Sequence, residues 1–431
     1  MSEFASGLQV TEEPAQLDPA LLLGVRLHRP YRTESLADHL RLVGPLGGIG
    51  GEAIISLVGE AGLLGRGGAG FPTARKLASV AAQRAASFVV ANGAESEPAS
   101  RKDRTLLQLR PHLVLDGAVL AARAVGAEAI ALYIHDEDAL SSLLQRAIQE
   151  RRASRLDEPP ITLSMTEQGF VSGESTSIVS FLNGGPAKPL FNQRNSRSGV
   201  GGRPTLVQNV ETLAHLAQIV RFGPNRFRHR GTSLSPGTFL STLTGAVPHP
   251  GRVVEIIERT TIGELLEASA DLSQPPQALL LGGYGGVFVN GKDAWDWEYS
   301  RESLHHHGAS LGCGLIGVVP HGVCGLAEAT RIMRYLADQS AGQCGPCVYG
   351  LDGLATILND AATGRIRPRI LRYIESRFEV VEGRGACAHP DAAVAFMRSA
   401  LVVFADEVAA HRSGRCTART DKEVFDVPRA T

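Results

Sequence analysis

Residues 113–134 read LVLDGAVLAARAVGAEAIALYI. The first part is rich in Ala, Leu and Val without β-branched alternation, as expected of a buried helix, and residues 129–134 turn into a short apolar strand. Asp116, Arg123 and Glu128 interrupt the run, so it is too charged to span a bilayer. Upstream, residues 87–90 are strand-like, residues 52–64 look helical, and a helix is expected to start near Ser100. Short apolar strands alternating with helices are the signature of an α/β domain.

Further along, residues 221–237 (RFGPNRFRHRGTSLSPG) are basic, aperiodic and broken by Pro and Gly, which predicts a linker or long surface loop with a domain boundary near 235. Residues 238–244 and 251–257 are β-branched strands around a Pro-His-Pro-Gly turn, followed by a helix over 262–270; this predicts a small β-grasp-like unit. From Cys324 the pattern becomes amphipathic helical, over 326–338, 350–362, 368–378 and 391–411, as in a helical bundle. The expected division is 1–235, 236–322, 323–412, and a polar, loose tail at 413–431.

The chain has 431 residues, 43 Lys and Arg against 44 Asp and Glu, so it lacks the positive excess that nucleic-acid or anionic-membrane binding requires. Glycine supplies 48 residues, about 11% where ~7% is usual, which indicates many tight turns and close backbone approaches. Residues 1–17 have no basic stretch followed by an apolar run and do not read as a secretory signal. Six cysteines in a chain of this length, three of them in a CxxC-plus-one pattern, fit a reducing compartment and a metal site better than a disulfide framework. A cytoplasmic location is expected.

Four loops carry candidate ligand chemistry. Gly65-Arg66-Gly67-Gly68-Ala69-Gly70-Phe71-Pro72-Thr73, with Lys76 one turn on, combines backbone N–H groups, a helix start and two cations, which suits a phosphate. It lacks the Gly-Lys-Ser/Thr ending of a Walker loop. Asn92-Gly93-Ala94-Glu95-Ser96-Glu97, followed by Lys102-Asp103-Arg104, stands after a strand, where open α/β sheets bind ligands. Gly173-Glu174-Ser175-Thr176 and residues 204–212 around Asn209 and Thr212 are likewise polar. Each loop alone could be a solvated turn; together they imply a ligand with a phosphate, a sugar-like chain and a ring.

Cys344-Gly345-Pro346-Cys347, with Cys387 farther on, offers three thiolates to a metal centre. His389 or a non-protein ligand could be the fourth, and a thioredoxin-like dithiol competes, without the βαβ context it needs. Cys313, Cys324 and Cys416 read as incidental thiols. The run 305–307 of histidines and Trp295-Asp296-Trp297 read as a solvated turn and as packing.

In this order the motifs resemble the flavoprotein subunit of the NADH:quinone oxidoreductase family, shared with NAD-linked hydrogenases and formate dehydrogenases. The resembling segments are GLLGRGGAGFPTARK (62–76), ANGAESEPASRKDR (91–104), FVSGEST (170–176), RPTLVQNVETLAHL (203–216), TGAVPHPGRVVEI (244–256), SAGQCGPCVYG (340–350) and ACAHPD (386–391). The resemblance implies a Rossmann-like FMN-binding α/β domain, a β-grasp soluble-ligand-binding domain and a four-helix bundle with an iron–sulfur site. It implies that Gly65, Arg66, Gly67, Gly68, Lys76, Asn92, Glu95, Gly173, Glu174, Asn209 and Thr212 contact FMN. Phe71 and Glu97 would lie near NAD(P)H, and Glu95 and Glu97 would be the carboxylates at the reaction centre. Cys344, Cys347 and Cys387, with His389, would hold a [4Fe-4S] or [3Fe-4S] cluster feeding iron–sulfur or ferredoxin-like partner subunits.

The sequence also departs from the family pattern. Ala341 stands where the family has a fourth cysteine, Ala94 replaces a carboxylate, Ser175 replaces the second of two glutamates, and Gly201 replaces an aromatic. These departures keep open a redirected or non-catalytic FMN-binding electron-transfer paralogue, and a zinc-stabilised binding module.

Overall fold

A computed structural model describes residues 21–22, 33–83, 85–256, 259–420 and 422–428; the N-terminal segment read above for a secretory signal lies outside them. Four strands form the first sheet: β1 (Ser87–Asn92), β2 (Ala127–His135), β3 (Ile161–Thr166) and β4 (Thr205–Asn209). All pair in parallel, in the order β3-β2-β1-β4. β1 is central and buried along most of its length, hence its unbroken apolar run. The chain proceeds from β1 outward through β2 and β3, then returns to lay β4 on the other side of β1. That reversal opens a crevice between the carboxyl ends of β1 and β4, where Asn92 and Asn209 are register partners.

The 113–134 stretch divides as expected into the helix Pro111–Val125 and strand β2, punctuated by Gly126 at φ 67°. Its Asp116 is buried and neutralised: His39 Nε2 lies 2.7 Å and Arg151 Nη2 3.0 Å away, with Arg221 as a further partner. Although burial opposes ionisation, the His39 bond and the neighbouring Arg151, His39 and Arg221 charges hold the Asp116 carboxyl well below its usual range. No helix among the described residues is long and apolar enough to cross a membrane.

The second sheet contains β5 (Phe239–Gly245), β6 (Arg252–Ile256), β7 (Ala278–Leu281), β8 (Val287–Asn290) and β9 (Leu315–Val319), ordered β6-β5-β9-β7-β8. β5 and β9 are parallel neighbours and the other pairs antiparallel. With the helix Ile262–Ala270, begun by the Thr261/Glu264 capping box, this is the expected β-grasp arrangement. The bundle comprises Gly325–Asp338, Asp352–Ala362, His389–Val403 and Ala405–Arg412 around a core of Leu336, Leu358, Phe396 and Phe404. The expected single helices over 368–378 and 391–411 are each broken in two, at Tyr373 and Phe404.

Two expectations are corrected. The 221–237 segment is not a loose linker: it contains the helix Pro224–Arg228 and buries Phe227 against His215, with ring centroids 5.4 Å apart. The described part of the tail is not loose either. Phe425 is buried beside Tyr284 at 6.3 Å, its amide donates to Glu328 and its carbonyl accepts from Arg331, and the Arg419 amide donates to the Gly322 carbonyl. One buried aromatic in each polar stretch, Phe227 and Phe425, supplies the anchor, and one residue has no periodicity to read.

The helix Pro111–Val125 meets the helix Val210–Phe222 at Gly117, where a Cβ would overlap the Leu213 carbonyl. Gly117→Ala is therefore expected to lower stability by about 1–3 kcal/mol through overpacking, checked as a lowered midpoint in thermal or urea unfolding.

Candidate functional site

The crevice is an open cleft of about 300 Å³ lined by residues from both sheets: Gly67, Asn92, Glu95, Glu97, Lys102, Asp103, Phe170, Gly173, Glu174 and Asn209 on one side, and Gly282, Gly285 and Cys313 on the other. Its volume falls in the range typical of small-molecule and cofactor sites. Seven of the residues expected at a site meet here: Gly67, Asn92, Glu95, Glu97, Gly173, Glu174 and Asn209.

Each is fixed by its own chain segment. Asn92, ending β1, donates to the Gly173 carbonyl at 3.0 Å and accepts from the Ala94 amide at 3.1 Å, tying two loops together. Asn209 caps the helix Val210–Phe222 and donates to Asp103 at 2.7 Å. Glu174 caps the helix Ser175–Leu182 through the Thr176 and Ser177 amides, and its neighbour Ser175 donates to it at 3.0 Å. Gly173 is required, because a Cβ there would strike Ser96 Oγ and the Ala94 carbonyl.

The cleft floor is a buried charge cluster. Lys102 Nζ sits 2.7 Å from Asp103 and 2.8 Å from Glu211, and Glu211 in turn accepts from the Leu240 amide at 2.8 Å, in the first strand of the second sheet. Glu95 accepts from Ser100 Oγ at 2.5 Å and from the Asp103 and Arg104 amides. Burial, then Asp103, raises its carboxyl. Glu97 accepts from the Tyr284 amide at 2.7 Å; burial pushes its carboxyl up to about 8 against that bond.

The remaining expected residues lie behind or beside the cleft and hold its walls. Thr212 Oγ1 accepts from the Arg66 amide at 2.8 Å, and the Arg66 guanidinium donates to the Pro236 carbonyl, its Nε buried without a partner. Lys76 Nζ donates to the Val207 carbonyl at 2.5 Å, and burial pulls it down to about 8. Gly65 pairs back to Phe71, Gly68 faces Gly312, and Phe71 is half-exposed with Arg75 5.5 Å over its ring. Gly201, where an aromatic would stand, has φ 60°, a conformation that penalises any side chain. Cys313, which reads as incidental in the sequence, lines the cleft next to Glu97; the only hint was its position between Gly312 and Gly314, both at positive φ.

The Cys347 amide donates to the Cys344 carbonyl at 3.1 Å, and burial and then the Cys344 thiol push the Cys347 thiol up to about 12. Cys387 is close enough to Glu174 and Cys344 for both to raise its thiol, beneath the larger effect of burial. Residues 346–351 form a wide π-type turn, an element frequent at functional sites. His389 Nε2 is 2.8 Å from the Leu336 carbonyl, its Nδ1 has no partner, and its ring lies 5.1 Å from Phe170, which lines the cleft. No three ligand atoms among Cys344, Cys347, Cys387 and His389 lie within 4.8 Å of one another. Two thiolates on one zinc sit about 3.8 Å apart, so these residues do not form a mononuclear zinc site, whereas a cluster spreads its thiolates over several irons. Three facing thiols therefore fit a cluster, and the amide- and glycine-lined cleft fits a flat ring with a polar chain.

Residues 58–218 match the family described as Nuo51 FMN-binding domain, and residues 327–411 the NADH-ubiquinone oxidoreductase-F iron-sulfur binding region. An F-type subunit of the NADH-quinone oxidoreductase of Rhizobium meliloti (strain 1021) is 31% identical over 84% of this chain and 89% of its own length. The chain belongs to the family of F-type subunits of NADH-quinone oxidoreductase. The corresponding protein of Escherichia coli (strain K12) is 30% identical over 84% of this chain and 85% of its own length. A chain of an NAD+-reducing [NiFe]-hydrogenase in the H2-reduced state superposes with TM-score 0.76 at 28% identity; the match covers 84% of this protein and 63% of that chain. The protein is thus an FMN and iron–sulfur flavoprotein of the F type, an oxidoreductase with the expected fold.

The raised Glu97 carboxyl links folding to pH. Its folded value lies above the unfolded one near 4.5, so its contribution is full below about pH 4.5 and lost as pH rises through about 8. Glu95, Cys313, Tyr284 and Tyr335 share this environment. Glu97→Gln should flatten the fall in melting temperature between about pH 5 and about pH 8, a difference on the order of 3–5 kcal/mol, measured by thermal unfolding across that range.

Proposed function

We propose that this chain takes hydride from NADH or NADPH in the cleft and delivers electrons singly, by way of an iron–sulfur cluster held by Cys344, Cys347 and Cys387, to an iron–sulfur or ferredoxin-like partner subunit. The observation that carries this reading is the convergence of Asn92, Glu95, Glu97, Gly173, Glu174 and Asn209 on one cleft whose wall reaches the cysteines through Phe170 and Glu174. FMN, when bound, supplies the exchange between two-electron and one-electron chemistry.

The protein's part is position and electrostatics. Gly67, Asn92, Gly173, Glu174 and Asn209 would hold the cofactor, and the loop backed by Gly65, Arg66, Gly68, Lys76 and Thr212 would shape its phosphate end. Glu95 and Glu97 face the cleft with raised carboxyls, and Glu97, pushed up to about 8, can carry a proton near neutral pH. Phe71 at the rim offers a face to a nucleotide ring, which Gly201 does not. His389 would support the cluster as a fourth ligand or as a neighbour. We divide the chain into 1–235, 236–322 and 323–412, with a polar tail at 413–431, and place it in the cytoplasm, where its free cysteines stay reduced.

Ala94, Ser175 and Gly201 favour a second reading, in which the flavin is kept and the donor is not a nicotinamide. One experiment separates the two. Anaerobically purified protein should show a flavin absorption band that NADH or NADPH bleaches; a band that neither bleaches supports the second reading and removes the first.

Ala341 is half-exposed, three positions before Cys344. Ala341→Cys should complete a four-thiolate set and raise iron and acid-labile sulfide per chain after anaerobic purification. Unchanged iron and sulfide would show that residue 341 does not face the cluster.

A further inference from the structure

Cys324, His411 and Cys416 take no part in lining the cleft and are unused by the proposed chemistry, yet their ligand atoms all lie within 4.8 Å of one another, the one such group of His, Cys, Asp and Glu among the described residues. Cys324 precedes the first bundle helix, Gly325–Asp338, and accepts from the Ala327 amide. His411 lies at the end of the helix Ala405–Arg412, and Cys416 is exposed in the segment beyond it. Cys324 Sγ and His411 Nε2 are 3.6 Å apart. A thiolate at 2.3 Å and an imidazole nitrogen at 2.0–2.1 Å on one tetrahedral zinc stand about 3.5 Å from each other.

The surroundings suit ligation. His411 Nδ1 bonds to the Ala362 carbonyl, so Nδ1 carries the proton and Nε2 turns its lone pair toward the two sulfurs. Glu407 adds negative charge beside Cys324, its carboxylate held by the Gly325 and Leu326 amides and by Gln277 at 2.6 Å. That carboxylate is committed to the helix N-terminus, which leaves the fourth position to solvent on the side where Cys416 is exposed.

We propose that Cys324, His411 and Cys416 bind a zinc ion, independent of the iron–sulfur site. Binding replaces the two thiol protons, which leave to solvent, and involves no change of oxidation state. The ion would join the start of the first bundle helix, the end of the last, and the tail; through the Ala362 carbonyl it would also brace the end of the helix Asp352–Ala362. It would thereby fasten the stretch of chain that carries Phe425 back to the second sheet.

The test uses the full-length protein purified anaerobically, stripped with a chelator and titrated with Zn2+, with Co2+ as a spectroscopic probe of thiolate ligation. The wild type should retain one zinc per chain and show a thiolate-to-cobalt band. Losing an outer partner of a metal ligand costs 10–100-fold in affinity, so losing a ligand in Cys416→Ser or His411→Ala should cost more than about a hundredfold. Iron and acid-labile sulfide should not change. Cys416 is exposed, so its variant should fold, and circular dichroism checks this. The proposal is overturned if zinc affinity is the same in wild type and both variants, if His411→Ala alone leaves it unchanged, or if the freshly purified wild type contains a Cys324–Cys416 disulfide and takes up no zinc after its reduction.

Discussion

The buried ammonium of Lys102 is the constraint on which the cleft depends. It stands between Asp103 and Glu211, with Glu95 adding to the field that holds its proton firmly in place against burial. Removing either side of such an interior pair strands an uncompensated charge, at a cost of about 3–5 kcal/mol. Each partner also carries structure outward. Asp103 accepts from Asn209 at the end of β4, Glu211 accepts from Leu240 in β5, and Glu95 receives the first amides of the helix Lys102–Leu109. Both sheets are therefore referenced to one nitrogen atom. The cleft between them keeps its shape because its floor is electrostatically closed.

From this floor the architecture leads toward the cysteines. Phe170 lines the cleft and also packs on His389 and Tyr335, with ring centroids 5.1 and 6.0 Å away. Glu174 lines the same cleft and acts on the Cys387 thiol. Glu97 reaches across to the Tyr284 amide, and Tyr284 meets both Tyr335 and the docked Phe425. Cofactor loop, β-grasp sheet, bundle and tail thus share one set of contacts.

The departures from the family pattern acquire physical content in the same setting. A larger residue at Gly201 would meet backbone strain before it met any nucleotide, because the turn Val200–Gly202 holds φ at 60° there. Ser175 donates to Glu174, so a second acid there would face like charge where there is now a hydrogen bond. The amide and glycine contacts of the cleft are untouched by these changes.

What the sequence determined by itself was local. Periodicity located the buried helix and strand at 113–134 and the helix over 262–270, and motif order identified the family and most of the cleft lining. Such signals are carried by residues near one another in the chain. Tertiary structure decided which loop residues face the cleft and which only brace it, as with Asn92 against Lys76. It decided that Phe227 and Phe425 anchor stretches that read as loose, and it put Cys313 in the cleft. It also brought Cys324, His411 and Cys416 together, although the first two stand 87 positions apart. These outcomes depend on contacts between distant segments, and no spacing along the chain encodes the direction in which a side chain meets a segment that folds back upon it.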